Sequence, residues 1–393
     1  MTNARIDFDT LIARQNSGST KWDDAAALFG AEDVLPFWVA DMDFPSPPAI
    51  TEALTARVQH GVFGYPSPHS YAYDAVTAWL EKRHNWKTQP AWMVSTPGVV
   101  TALTLAIHAF TKPGDKIIIQ SPVYPPFFSS IQSQNRIIVE NPLIYDNNQY
   151  HMDFEDLQKK APDASMLVLC SPHNPVGRVW TQPELNKLLT ICLENNVLIV
   201  TDEIHSDLVY SGYHHISLAS LTTDSTNKII TLIAPSKTFN TAGLYTSIAI
   251  IPDDKLRTHF SQILQQLSIN KSNVFGITAL EAAYRYGEPW LDELLLYLED
   301  NAQYLTQYIT ANIPAIHVDK PQGTYLVWLD CRKLNLSQQE LVRFFAQKAR
   351  VGLNDGATFG QQGTGFMRLN FGCPRPLLAE GLKRIAQAVN QLS

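Results

Sequence analysis

The sequence lacks the marks of a membrane, nucleic-acid-binding or disulfide-stapled protein. Its strongest apolar stretches, such as 197–200, are far too short to span a bilayer. Basic charge is not in excess: 30 Lys and Arg stand against 37 Asp and Glu, a net of −7, which argues against general nucleic-acid binding. There are four cysteines, Cys170, Cys192, Cys331 and Cys373, with no CxxC pair and no metal-like spacing. That usage suits reduced thiols in a cytoplasmic protein and predicts no metal site. Residues 1–10 carry no apolar core of a secretory signal, so a soluble cytoplasmic protein is expected. Neither an internal repeat nor a low-complexity segment is present. With 45% hydrophobic and only 17% charged residues over 393 positions, the chain can bury a large core and form two domains.

What is present is a regular alternation. Residues 1–48 read as an irregular arm, Pro-rich towards its end, in which Trp38 to Phe44 form a short ordered segment, either a packed cover or part of the active site. Helices are predicted over 49–59, 70–84, 98–111 and 183–195, with a loop at 61–66. Short apolar runs recur at 117–120, 137–139, 166–170, 197–201, 229–233 and 247–251. Short β-type runs alternating with helices predict a mostly parallel sheet covered on both faces. Beyond Lys271 the pattern turns helical, through 280–286 and 291–308. A smaller α+β region follows, with a strand at 324–329, a helix at 337–349, a Gly-rich loop, a strand at 366–371 and a last helix from about Pro376. The expected division is an arm (1–48), a large domain (49–285) and a small C-terminal domain (286–393).

Ligands of open parallel sheets bind beyond the carboxyl ends of the strands. Here those ends lead into Ser121-Pro122-Val123-Tyr124, Ser171-Pro172-His173-Asn174-Pro175, Asp202-Glu203-Ile204-His205 and Ser236-Lys237. Each piece alone has an ordinary explanation: a surface lysine, a turn asparagine, a capping aspartate, a core tyrosine. Together they offer an amine, an amide, a carboxylate and an aromatic face, the set a planar aldehyde cofactor requires. Pyridoxal 5'-phosphate fits it. The amine forms a Schiff base, the carboxylate keeps the ring nitrogen protonated, the amide meets the ring oxygen and the aromatic covers one face. Ser95-Thr96-Pro97-Gly98-Val99-Val100 opens a helix whose free N–H groups could hold the phosphate, or is simply a punctuated helix start.

The runs Ser171 to Trp180, Asp202 to His205 and Pro235 to Asn240 resemble those of fold-type-I pyridoxal-phosphate enzymes. The similarity is to their cystathionine β-lyase-like C–S lyase branch, related to class I/II aminotransferases, and it covers about Trp38 to Arg375. The resemblance implies an α/β fold with a mostly parallel, seven-stranded type of sheet. It makes Lys237 the Schiff-base lysine and Asp202 the partner of the ring nitrogen. Asn174 and His205 would contact the ring oxygen, and Tyr124 would stack on the ring. Gly98, Val99, Val100 and Ser236 would hold the phosphate, with Tyr65 reaching it from the other subunit of a homodimer. Arg368 would clamp the substrate carboxylate, for which an arginine's bidentate fork is suited. His205 stands where many aminotransferases have tyrosine, and Tyr245 where many have a phosphate-binding arginine. Both departures favour the lyase branch. The expected reaction is β-elimination of L-cystathionine or a related cysteine S-conjugate; the alternative is amino-group transfer to a 2-oxo acid.

Overall fold

The apolar runs become neighbouring strands of one sheet. The structure is a computed structural model that describes residues 6–67, 71–222 and 228–392. Ser70, at the start of one predicted helix, and residues 1–5 of the arm lie outside the described residues. The seven strands stand in the order Met93–Thr96, Ser247–Ile250, Ile229–Ile233, Leu198–Asp202, Met166–Cys170, Lys116–Ile119 and Ile137–Glu140. Ser247–Ile250 is antiparallel to both its neighbours, and the other pairings are parallel. The central strands are buried end to end, which is why they read as unbroken apolar runs.

Because side chains alternate across a strand, one run feeds two cores. Ile118, Leu167, Leu169 and Ile199 join the larger cluster, while Ile117, Ile119, Val168 and Val200 pack with Leu103, Ala106 and Phe260 on the other face. Helix Gln182–Glu194 begins with a Thr181/Glu184 capping box and a proline in its first turn.

Several elements differ from the sequence reading, among them helices Pro125–Gln132 and Phe154–Lys160, which the apolar pattern did not mark. Helix Asp254–Gln266, capped by Asp253, lies before Lys271, where the sequence predicts no helix; its apolar face is the narrow set Leu256, Phe260, Ile263 and Leu264 on an otherwise polar segment. The helix predicted over 337–349 is α-helical at Gln338–Arg343 and widens to a π-helical turn at Phe344–Lys348.

A second, antiparallel sheet orders His317–Val318, Leu326–Asp330, Phe366–Asn370 and Asn354–Asp355. Arg368 lies on its third strand, in register with Trp328 and Asn354. The N-terminal arm ties the two sheets together. Leu35 and Pro36 pair with Val351 and Gly352, and the segment after them crosses the carboxyl edge of the large sheet. Among the described residues no helix is long and apolar enough to cross a membrane, and no group of three or more His, Cys, Asp or Glu is placed to hold a metal ion.

Candidate active site

Five strand ends open on one cavity of about 450 Å³, a volume suited to a cofactor-sized ligand. Lys237 enters it from the four-residue helix Pro235–Thr238, where the sequence predicts only a turn. Pro235 explains the difference: its fixed φ suits the first turn of a helix, where its missing N–H is not needed. Lys237 Nζ donates to the Ala40 carbonyl at 2.6 Å. Burial lowers the amine to about 8; Asp41 opposes that shift, Arg368 adds to it and Asp202 opposes it.

Asp202 closes its strand and is 4% exposed. Burial raises its carboxyl to about 7, against the Ile204 N–H bonded to Oδ1 at 3.1 Å and the nearby Lys237 amine. A carboxylate so placed gains strongly from a cationic partner. His205 is buried with Nδ1 unpartnered, and burial, helped by Lys237 and Arg368, lowers it to about 3. It is therefore a neutral imidazole at physiological pH. Tyr124, its hydroxyl pushed up by burial, and Asn174 complete the wall.

Thr96 and Ser247 are register partners, and Ser247 Oγ accepts the Gly98 N–H at 3.0 Å. Gly98 has φ of 135°, a left-handed-side conformation that favours glycine, and it starts helix Val99–Phe110 without a side-chain cap. The N–H groups of the first turn thus face the cavity beside Ser236, Thr246 and Tyr245. Among the described residues that line the cavity, Lys237 is the sole lysine or arginine.

Arg368, 3% exposed, stands behind Asn174 and does not itself line the cavity. Its fork donates to Asn174 Oδ1 at 3.1 Å, to the Trp38 carbonyl at 2.8 Å and to Asn354 Oδ1, and its Nε is buried without a partner. Burial brings the guanidinium down to about 10, so it remains charged.

The wall opposite the strand ends is the arm, and its carbonyls are held one after another. The Phe37 carbonyl accepts the Asn370 N–H, and Asn370 Nδ2 reaches the carbonyls of Val39 and Asp41. Tyr325 Oη donates to the Ala40 carbonyl at 2.9 Å. Asn240 Nδ2 takes the carbonyls of Met42 and Phe44. Beneath the segment, Lys21 and Arg14 pair with Asp41 and Asp43, and the Lys21 side chain is 1% exposed. Two cations thus balance two carboxylates where a lone charge would be strongly unfavourable.

The structure therefore brings Lys237, Asp202, Asn174, His205, Tyr124, Gly98, Val99, Val100 and Ser236 to one cavity, with Arg368 one hydrogen bond away. Tyr65 is not among the lining residues; it is 93% exposed on the loop before helix Tyr71–His84. Sequence reasoning missed the Ala40 carbonyl, Tyr325, Asn354, Asn370 and Thr246. Asn370 is two residues from Arg368 on a strand, hence on the same face, which is a signal that could have found it. Thr246 stands between Tyr245 and the strand from Ser247, and Ala40 lies within the ordered segment Trp38 to Phe44, whereas Tyr325 and Asn354 carry no local mark.

The profile of the family described as aminotransferase class I and II matches residues 32–385. Cystathionine beta-lyase PatB of Bacillus subtilis (strain 168) is 46% identical over 387 residues, covering 98% of this chain and 100% of that protein. The crystal structure of cystalysin from Treponema denticola, which contains a pyridoxal 5'-phosphate cofactor, superposes with a TM-score of 0.95 at 37% identity, covering 98% of this chain and 99% of that one. The pyridoxal-phosphate-bound C–S lyase from Staphylococcus hominis gives 0.91 at 30% identity, with the same coverage. On sequence and architecture alike, the chain belongs to the aminotransferase class I and II family.

Proposed function

We propose that the chain is a pyridoxal-phosphate-dependent C–S β-lyase that releases pyruvate, ammonia and a thiol from L-cystathionine or a related cysteine S-conjugate. The observation that carries this reading is the convergence of a lysine, a buried carboxylate whose ionised form burial disfavours and an unpartnered imidazole nitrogen on one cavity. These residues fit the cofactor: Lys237 to bind its aldehyde carbon, Asp202 to face its ring nitrogen, and Asn174 and His205 to meet its ring oxygen. Tyr124 covers a ring face, and the first-turn N–H groups at Val99 and Val100 with Ser236 take the phosphate. When bound, the cofactor supplies an electron sink for the charge left at Cα.

Arg368 holds the substrate α-carboxylate by its fork, exchanging present acceptors for a charged one. Once the substrate's amine has taken its place on the aldehyde carbon, the freed Lys237 Nζ, an amine that burial makes easier to hold neutral, removes the Cα proton as general base. Asp202, as a carboxylate, keeps the ring nitrogen's proton in place. Loss of the proton and cleavage of Cβ–S expel a thiolate, and the released aminoacrylate takes up water to give pyruvate and ammonia.

Tyr65 is assigned to the partner's site in a homodimer. Support comes from the exposed apolar cluster Val62, Phe63 and Tyr71 around it, which a second copy of the chain could cover. The division into an arm (1–48), a large domain (49–285) and a small domain (286–393) is proposed on the separation of the two sheets, and a cytoplasmic location on the unpaired cysteines.

The test is the product mixture. Cystathionine should yield pyruvate, ammonia and homocysteine in equal amounts with no 2-oxo acid added. Turnover that requires a 2-oxo acid and transfers the amino group to it would replace this reading with an aminotransferase.

A further inference from the structure

Directly behind the site lies a buried array that this mechanism does not use. Asp207 Oδ1 accepts from Trp79 Nε1 at 2.9 Å and meets His84 Nε2 at 2.8 Å, while Oδ2 accepts from Thr238 Oγ1 at 2.9 Å. The His84 ring packs edge-on against His215, with centroids 5.3 Å apart, and His215 Nε2 lies 3.0 Å from Glu203 Oε2. Glu203 Oε1 accepts from Thr201 Oγ1 and the Leu218 N–H, each at 3.1 Å. Glu203 directly follows Asp202, and Thr238 directly follows Lys237. The array therefore grips the two chain segments that carry the candidate catalytic groups.

A four-residue helix has almost no stability of its own, so its place must come from its contacts. The three residues after Lys237 are anchored in three directions. Thr238, buried, bonds Asp207; Phe239 sits among the rings of Trp79, Tyr284 and Trp290; Asn240 holds the arm. Only the first anchor ends on a charged group, and such bonds are the stronger kind. Trp79 serves twice, donating to Asp207 and packing its ring on Phe239 at 5.6 Å. Burial acts to raise the Asp207 carboxyl, but the bonds from His84, Trp79 and Thr238 outweigh it and keep the group low. It is thus an ionised acceptor at neutral pH.

We propose that Asp207 is a positioning residue for the reaction: through Thr238 Oγ1 it fixes the short helix on which Lys237 presents its amine. It touches neither cofactor nor substrate. The inference rests on Lys237 being the cofactor lysine.

The test uses the holoenzyme with Thr238→Val, which replaces the hydroxyl by a methyl of similar size, and Thr238→Ser, which keeps the hydroxyl. Two readouts separate positioning from general weakening: the split between kcat and KM, and the pH midpoint of the absorption band of the lysine-bound cofactor. Asp41, Asp202, Arg368 and His205, the groups that act on Lys237, are untouched by either substitution. With Lys237 displaced, Thr238→Val should lose about 10- to 100-fold in kcat while KM stays within about threefold, and its band midpoint should move. Thr238→Ser should recover both. Asp207→Asn, which keeps shape and drops charge, should change both readouts in the same direction and decides the matter should Thr238→Val not fold. Wild-type kcat and midpoint in Thr238→Val, or no recovery in Thr238→Ser, would overturn the positioning role. Lys237→Ala separates the two levels: if it keeps the band, the lysine assignment fails and this inference with it. If it loses the band while Thr238→Val behaves as wild type, only the positioning role falls.

Discussion

Replacing Asp202 by Asn should stabilise the cofactor-free protein and cripple the enzyme. The carboxyl rises from 3.8 to about 7 because the cavity removes it from water. At about 1.4 kcal/mol per pH unit, that rise corresponds to about 4 kcal/mol against the ionised form. The sign follows from where the proton sits. The unfolded chain ionises Asp202 near 3.8 and the folded cavity only near 7, so between those values the folded state holds the extra proton. The stability due to this group is full below about pH 4, falls as pH rises towards 7, and is level above that. An amide of the same shape carries no charge to desolvate, so the variant loses this slope. Thermal melts of cofactor-stripped protein between about pH 5 and pH 8 would read it, with Asp202→Asn melting a few degrees above wild type at the alkaline end. The same variant should bind the cofactor at least about 10-fold more weakly and turn over slower by orders of magnitude, because the ring nitrogen loses its anionic partner. A variant melting no higher than wild type would refute the burial argument. Unchanged cofactor affinity would refute the pairing with the ring nitrogen.

Arg368→Lys keeps a cation but loses the fork that now serves Asn174, Trp38 and Asn354. With hydrogen bonds to charged groups at roughly 1.5–3 kcal/mol each, KM for free amino acids should rise about 10- to 100-fold while cofactor affinity hardly moves. Unchanged KM would remove Arg368 from substrate binding. For Tyr65, mixing inactive Tyr65→Phe and Lys237→Ala subunits in equal amounts should restore about a quarter of wild-type activity, since half of the dimers are mixed and each has one intact site. No recovery after verified subunit exchange would rule out a site shared across the interface.

How much could be read from the chain alone depended on whether chemistry and scaffold were neighbours in sequence. Asp202, Asn174 and Lys237 each come at or within a few residues of the end of an apolar run, so recognising the strand also located the ligand-facing turn. Antiparallel Ser247–Ile250 looked like its parallel neighbours because direction leaves no trace in a buried run. Met93–Thr96, at the sheet edge and only partly buried, gave too short an apolar signal to separate from the helix that follows it. Helix Asp254–Gln266 did carry its marks, an Asp cap followed by apolar residues at 256, 260, 263 and 264, but on a polar background they are easily passed over.

The electrostatic character of the site was illegible for a different reason. The lysine's lowered value comes first from burial, which no local pattern reports, while the arm carboxylate that opposes it, Asp41, and the Ala40 carbonyl that holds the amine are brought to it across nearly 200 residues of sequence. The Ala40 carbonyl is held in turn by Tyr325, 285 residues away. Asp207 lies 123 residues from His84 and 31 from Thr238. Read in sequence, the Asp of His205-Ser206-Asp207 is one more acidic residue after a strand; only the fold makes it the point where the helix bearing Trp79 and His84 meets the helix bearing Lys237. The motif residues name a chemistry that a whole family shares. The groups that set how basic the amine is and where it points are supplied by distant segments, and it is there that substitutions should alter rate without altering the reaction.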